Sequence, residues 1–191
     1  MGWADAFDRP LRRPFYDRPT RRVARDLLGS VLVRRVGREL RAGLVVETEA
    51  YVHDDPASHA FRGMTSQNHS MFGSPGTLYV YQIHQVHCAN AVTRPGEAVL
   101  LRAAEPLTKG LPSPRGPGRL CRAFGLTRAE DGEDLVTGGV RLLPGHDPRR
   151  KILVGPRVGI RRAADRPLRF ALEGNRWVSL PRLPTERSDS V

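Results

Sequence analysis

The sequence predicts an α+β fold: one domain in which an antiparallel β-sheet carries most of the chain and a few helices flank it. Three observations lead there. Short runs rich in β-branched and aromatic residues recur along the chain with turn-forming residues between them, the pattern of paired strands. Only two segments read as helices. Finally, 191 residues suit one core, and neither side of the Pro-rich stretch 105–118 is large enough for a core of its own. A chain of this length buries roughly 70% of its unfolded surface and needs no disulfide or metal to hold it.

The ends, 1–13 and 183–191, are polar and rich in Arg, Pro, Ser and Thr; they read as flexible, which leaves 14–182 as the folded core. Thr20 as N-cap ahead of Val23, Ala24, Leu27 and Leu28, with Gly29 as the stop, predicts a helix over 20–28. Ser30–Val36 and Leu40–Tyr51 read as two strands around a tight turn at Gly37-Arg38. Alternation along the second puts Val45, Glu47, Glu49 and Tyr51 on one face, so that two carboxylates and a phenol look the same way. From His53 to Pro75 the chain has no clean period, and an irregular stretch of that length inside a compact domain is usually functional.

Leu78–Ile83 and Cys88–Thr93 predict a protruding hairpin with His84-Gln85-Val86-His87 at its tip, and Val99–Ala103 predicts a further strand. Glu105–Gly118, with four prolines and three glycines, reads as a loop. A short helix over Arg119–Phe124 follows, starting at Gly116-Pro117-Gly118 and stopping near Gly125. Arg157–Ile160, Leu168–Leu172 and Trp177–Val178 predict the last strands.

The 31 basic and 20 acidic residues give a formal charge of +11, and every basic residue except Lys109 and Lys151 is arginine. A planar guanidinium matches phosphate geometry and stays charged, so this balance suits a polyanionic partner. Cys88 and Cys121 form neither a disulfide framework nor a CxxC motif, which points to a reduced compartment. The chain has neither the apolar stretch of a signal peptide nor the ~20 apolar residues of a membrane span, and it reads as a cytoplasmic protein without a membrane partner.

Glutamates on a strand face are ordinarily solvated. Held near Tyr51 in a concave site, however, Glu47 or Glu49 would act as a general base on water. Tyr79, Tyr81, His84 and His87 place four flat side chains within nine positions of a strongly basic protein. Strands are rich in aromatics in any case, yet such rings also suit the sandwiching of an extruded base and the plugging of the gap it leaves. His59, His84 and His87 have no cysteine or acidic partner at ligand spacing, which argues against a metal site. No Gly-rich phosphate loop and no nucleophile elbow occurs.

Val46-Glu47-Thr48-Glu49-Ala50-Tyr51, His59-Ala60-Phe61-Arg62-Gly63-Met64-Thr65, Met71-Phe72 and Gly76-Thr77-Leu78-Tyr79-Val80-Tyr81 stand in that order. Leu100-Leu101-Arg102-Ala103-Ala104-Glu105-Pro106, Gly116-Pro117-Gly118-Arg119-Leu120-Cys121, Pro156-Arg157-Val158-Gly159 and Arg166-Pro167-Leu168-Arg169-Phe170 follow. Together they closely resemble the alkyladenine (3-methyladenine) DNA glycosylase family, over roughly residues 14–182.

The resemblance implies an open, curved antiparallel barrel similar to the C-terminal domain of methionyl-tRNA formyltransferase. It implies excision of alkylated or deaminated purines from double-stranded DNA by a monomer that uses no cofactor and no metal. The family's base falls on Glu49 and the arginine near its water on Arg102. The base-pocket positions fall on Tyr51, His59 and Tyr81, the residue that discriminates against guanine on Asn90, and a supporting carboxylate on Glu47. Where relatives carry Tyr-Gly at the hairpin tip this chain has His84-Gln85, so that His84 takes the position of the wedge; the loop 105–118 is also shorter than is common. Lys109 and Lys151 lie outside every motif, which leaves no lysine for a Schiff base and implies a monofunctional enzyme. The rival from another class is a nucleic-acid-binding module that keeps the fold and charge without turnover.

Overall fold

The computed structural model describes residues 7–145 and 151–184. Within them eight antiparallel strands form one sheet. They are β1 (Val31–Val36), β2 (Glu39–Tyr51), β3 (Leu78–Ile83), β4 (Val86–Arg94), β5 (Glu97–Pro106), β6 (Val140–Leu143), β7 (Ile152–Gly155) and β8 (Arg169–Leu172). Three α-helices, α1 (Arg13–Tyr16), α2 (Thr20–Asp26) and α3 (Pro117–Phe124), and two short 3-10 turns at His69–Phe72 and Arg128–Glu130 accompany them. The order is β3-β4-β5-β2-β1-β6, with β8 joined to β2 and β7 to β8.

β2 organises the sheet. Its first half pairs with β1 from Glu39 to Leu44, its second half pairs with β8 from Glu47 to Glu49, and β5 runs beside it from Gly43 to Tyr51. Three partners fit one strand because β2 bends between β1 and β8. The β2–β5 register shifts between Val45 and Thr48, and the extra residue of a bulge both bends a strand and raises its twist. The sheet accordingly curls into an antiparallel half-barrel.

The bulge also decides which way side chains face. Val45 and Ala50 join Val23, Ala24, Leu27 and Leu101 in the main core, and Thr48 Oγ1 donates to the Ala24 carbonyl at 2.7 Å. Val46 packs elsewhere, with Ala103, Ala171 and Leu172. Strict alternation groups Val45 with Glu47, Glu49 and Tyr51; the structure separates Val45 from them because the bulge interrupts the two-residue period.

Several boundaries differ from the sequence-based expectation. α2 ends at Asp26, and Pro19 rather than Thr20 is its N-cap. Thr20 opens the helix instead, with its hydroxyl shared between Thr93 at 2.7 Å and Glu97. The hairpin tip is a two-residue turn, His84-Gln85, closed by the pair Ile83 and Val86. Both turn residues have left-handed φ, 44° and 64°, which matches the twist of a tight hairpin without its usual Asn-Gly signal. Arg157–Ile160 and Trp177–Val178 are not strands; β7 lies earlier, at Ile152–Gly155, and β6 was not anticipated. Part of each end expected to be flexible is anchored: Phe7 and Leu183 are buried, and the Leu11 N–H donates to the Leu142 carbonyl at 2.7 Å. Among the described residues, no helix is long and apolar enough to cross a membrane.

Candidate active site

The bend in β2 turns Glu47 and Glu49 inward, where both are fully buried. Burial of a carboxylate is costly unless charges or donors meet it. Arg102 on β5 meets both: its Nε lies 2.9 Å from Glu47 Oε1 and its Nη1 3.2 Å from Glu49 Oε1.

Beyond that shared arginine the two carboxylates part company. Glu47 also receives Arg169 Nε at 2.7 Å, the Ser179 N–H at 2.7 Å and the Ser179 hydroxyl at 2.9 Å. Burial alone would raise its pKa, but Arg102, Arg169 and Ser179 together hold it below the ordinary 4.5. Glu49 receives the Val158 N–H at 2.8 Å and the Tyr51 hydroxyl at 3.0 Å. Here burial outweighs Arg102 and those two donors, and the pKa stands above 4.5. Of the two, Glu49 is the better proton acceptor and the one that opens onto space.

That space is a cavity of about 210 Å³, lined by Glu49, Tyr51, His59, Tyr79, Tyr81 and Arg102 among others. His59 stands edge-on to Tyr81 with centroids 4.3 Å apart at 76°, and Tyr79 lies 5.7 Å from Tyr81. His59 Nδ1 is 3.0 Å from the Tyr79 hydroxyl, and loss of surrounding water lowers the imidazole's pKa, which favours its neutral form. Tyr51 carries the Arg157 guanidinium over its ring, 4.6 Å from the centroid. Burial, reinforced by the charge of Glu49, pushes the Tyr51 phenol up and keeps it a donor.

The irregular segment after β2 brings His59 here by fixed contacts. Asn68 donates from Nδ2 to the carbonyls of His59 at 2.9 Å and Gly63 at 3.1 Å, while its Oδ1 accepts the Thr65 N–H at 2.6 Å. Asp55, fully buried, takes Arg157 Nη2 at 2.9 Å. A loop without regular structure is thereby pinned at both ends of its active stretch.

A buried carboxylate at the floor of an aromatic cavity, in a strongly basic protein, coincides with what similarity shows. The methylpurine-DNA glycosylase family model matches residues 14–176. The chain belongs to this family. Proteins bearing the name of a 3-methyladenine DNA glycosylase are similar along nearly their whole length. One from Anaeromyxobacter dehalogenans (strain 2CP-C) is 49% identical over 180 residues, covering 90% of this chain and 87% of its own. One from Agrobacterium fabrum (strain C58) is 44% identical over 196 residues, covering 95% and 98%. One from Methanoculleus marisnigri (strain ATCC 35101 / DSM 1498 / JR1) is 44% identical over 189 residues, covering 88% and 98%. The chain is accordingly a DNA glycosylase for alkylated bases, a hydrolase of N-glycosyl bonds.

Six of the residues singled out in the sequence meet around one cavity: Glu49, Tyr51, His59, Tyr79, Tyr81 and Arg102. Asn90 does not line it. It is buried on β4, with Nδ2 donating to the carbonyls of Tyr79 at 3.0 Å and Cys88 at 3.2 Å. His84 stands on the exposed hairpin turn and lines none of the cavity just described. Lys109 and Lys151 are exposed and also lie outside it.

Three contributors were not identified in advance. Arg169 and Ser179 complete the shell of Glu47, and the Val158 N–H holds Glu49. An arginine inside the apolar run Leu168–Leu172 was a usable signal, since a buried guanidinium must find a buried acid. A backbone N–H has no signal of this kind.

Proposed function

We propose that the protein flips a damaged purine out of duplex DNA into the Glu49 cavity and hydrolyses its bond to the sugar with a glutamate-activated water. The observation that supports this most is Glu49 itself: a fully buried carboxylate with a raised pKa, facing a cavity walled by Tyr51, His59 and Tyr81.

An N-alkylated purine is cationic, so it is attracted to electron-rich ring faces by ~0.5–2 kcal/mol per ring. Its departure needs no strong acid: the electrons of the breaking C1′–N bond neutralise the ring's positive charge. Glu49 orients a water toward C1′ and takes its proton as the new C–O bond forms, and its negative charge stabilises the oxocarbenium character of the sugar. Arg102 and the Val158 N–H fix the carboxylate's direction. Asn90, expected to reject guanine by a direct clash, does not line the cavity and spends its amide N–H groups on the Tyr79 and Cys88 carbonyls, so it takes no part in the proposed recognition. With no lysine at the cavity, the step ends at an abasic site without strand cleavage. The substrate is double-stranded, and the protein acts as a monomer.

The test is incubation with duplex oligonucleotides carrying one lesion each (3-methyladenine, 7-methylguanine, hypoxanthine or ethenoadenine), followed by alkaline cleavage at abasic sites. The wild type releases at least one base and leaves strands intact until alkali is added. Glu49→Gln loses about 10²–10⁴-fold in rate while binding DNA within a few-fold. Binding without release of any lesion would favour the non-catalytic module instead.

A further inference from the structure

The rings that wall the cavity are not electronically alike. Tyr51, His59, Tyr79 and Tyr81 all line it. Among the described residues, however, only Tyr51 of these four carries a guanidinium on its face, with the carbon of Arg157 4.6 Å from the ring centroid. Arg157 itself does not line the cavity, and its side chain is fully buried. It therefore covers a side of the ring that the cavity does not reach.

Hydrogen bonds hold the guanidinium by its Nη edge. Nη1 donates to the Ala50 carbonyl at 3.1 Å, Nη2 to Asp55 Oδ1 at 2.9 Å, and Nη1 also to Asp55 Oδ2. Among the described residues its Nε has no hydrogen-bond partner. Asp55 thus meets the edge of the guanidinium while the Tyr51 ring lies under its carbon, so the carboxylate offsets the charge at the ring only in part.

The negative face of an aromatic ring attracts a cation. With one cation already held on the far face, a second on the near face gains that attraction but meets Coulomb repulsion across a buried ring, where water screens little. A neutral purine stacks on the same face by dispersion and is indifferent to that charge. We propose that Arg157 sets the charge preference of the cavity: by occupying the far face of Tyr51 it weakens the hold on cationic purines and leaves the hold on neutral damaged purines intact. This rests on the glycosylase reading above. Arg157 does not touch the base; it is a positioning residue that acts through Tyr51, and it keeps uncharged lesions in competition with alkylated ones.

The experiment uses two duplexes of one sequence, each with a 2′-fluoro sugar at the lesion to block hydrolysis. One carries 7-methylguanine, which is cationic; the other carries 7-methyl-7-deazaguanine, which has the same shape and no charge. The readout is the ratio of the two affinities, cationic over neutral, taken within one preparation so that any loss of folded protein cancels. Asp55→Asn leaves the Arg157 charge uncompensated and lowers the ratio about fivefold below the wild type, on the scale of one cation–ring contact. Arg157→Gln combined with Asp55→Asn removes both charges, leaves no buried ion unpaired, and raises the ratio about fivefold above the wild type. A residue that only pins the loop would move both variants in one direction or neither. Equal ratios in the three proteins, shifts of the same sign, or opposite shifts in the reverse sense overturn the proposal; should one variant not fold, the sign of the other's shift decides. Base release from lesions on ordinary deoxyribose is measured separately. The expected shifts without release from any lesion remove the glycosylase reading and leave the role of Arg157 in recognition standing, whereas release with equal ratios removes this proposal alone.

Discussion

Glu47 and Glu49 differ by two positions on one strand, share Arg102 and are equally buried, yet their surroundings give them opposite character. Around Glu47 stand two arginines and both donors of Ser179. Around Glu49 stand one arginine, one N–H and one phenol. The first carboxylate is compensated past the cost of burial and the second is not. Residue type and spacing therefore do not decide which acid can take a proton; the count of donors does. The difference also divides labour, since one glutamate ties β2 to β5, β8 and the segment at Ser179, while the other faces the cavity.

The largest expected effect falls on Glu47. Glu47→Gln leaves Arg102 and Arg169 buried without their shared anion, and breaking a buried pair on one side costs about 3–5 kcal/mol. Urea unfolding measures this directly. A cost below about 1 kcal/mol would mean that the Glu47 network is not structural. Base release by the protein that remains folded stays measurable, because Glu49 keeps its own three partners.

Glu49→Gln is expected to act with the opposite sign on stability. The folded pKa of Glu49 is raised above 4.5, so its ionised form weakens the fold at neutral pH, and that penalty is relieved as pH falls through the raised value toward 4.5. For Glu47 the folded pKa is depressed; its contribution is complete above 4.5 and is lost as pH falls through the lower folded value. Removing the charge at Glu49 should thus raise the melting temperature at pH 7 and flatten the rise in stability between neutral pH and 4.5. About 1 kcal/mol corresponds to a shift of 2–4 °C in a chain of this size. Thermal melts of the wild type and Glu49→Gln across that range check it, and a lower melting temperature for the variant at pH 7 would contradict the assigned asymmetry.

Much of this pair was legible in the sequence, and the rest was hidden for identifiable reasons. Alternation brought Glu47, Glu49 and Tyr51 to one side correctly, but it misplaced Val45, since a bulge leaves no mark in the apolar pattern. The hairpin of β3 and β4 was visible in its tyrosines; its turn was read too long because neither His84 nor Gln85 announces a left-handed φ. β6 escaped notice although Gly138-Gly139 and Pro144-Gly145 bracket Val140–Leu143 with turn residues. Pro156-Arg157-Val158-Gly159 is conspicuous as a motif, but the strand expected over Arg157–Ile160 does not form. The motif's role is to bring one N–H and one guanidinium to Glu49 and Tyr51, which depends on tertiary placement alone.

The smallest expected effect sharpens the comparison from the side of Glu49. Tyr51→Phe removes the hydroxyl that donates to Glu49 Oε2 at 3.0 Å, while the ring keeps its contact with Arg157. That hydrogen bond lowers the carboxyl pKa, so without it the value climbs further above 4.5. Glu49 must be ionised to accept a proton, and the rate falls as pH drops through its pKa. The acid limb of the kcat/KM profile for base release should therefore move to higher pH in Tyr51→Phe. At alkaline pH, where Glu49 is ionised in both proteins, the rate should fall by no more than about tenfold, the scale of one hydrogen bond. The same substitution does not touch the partners of Glu47, so urea stability near pH 8 should change much less than in Glu47→Gln. A limb that stays in place, or moves to lower pH, would mean that the phenol does not govern the protonation of Glu49 and that the proton acceptor must be sought elsewhere in the cavity.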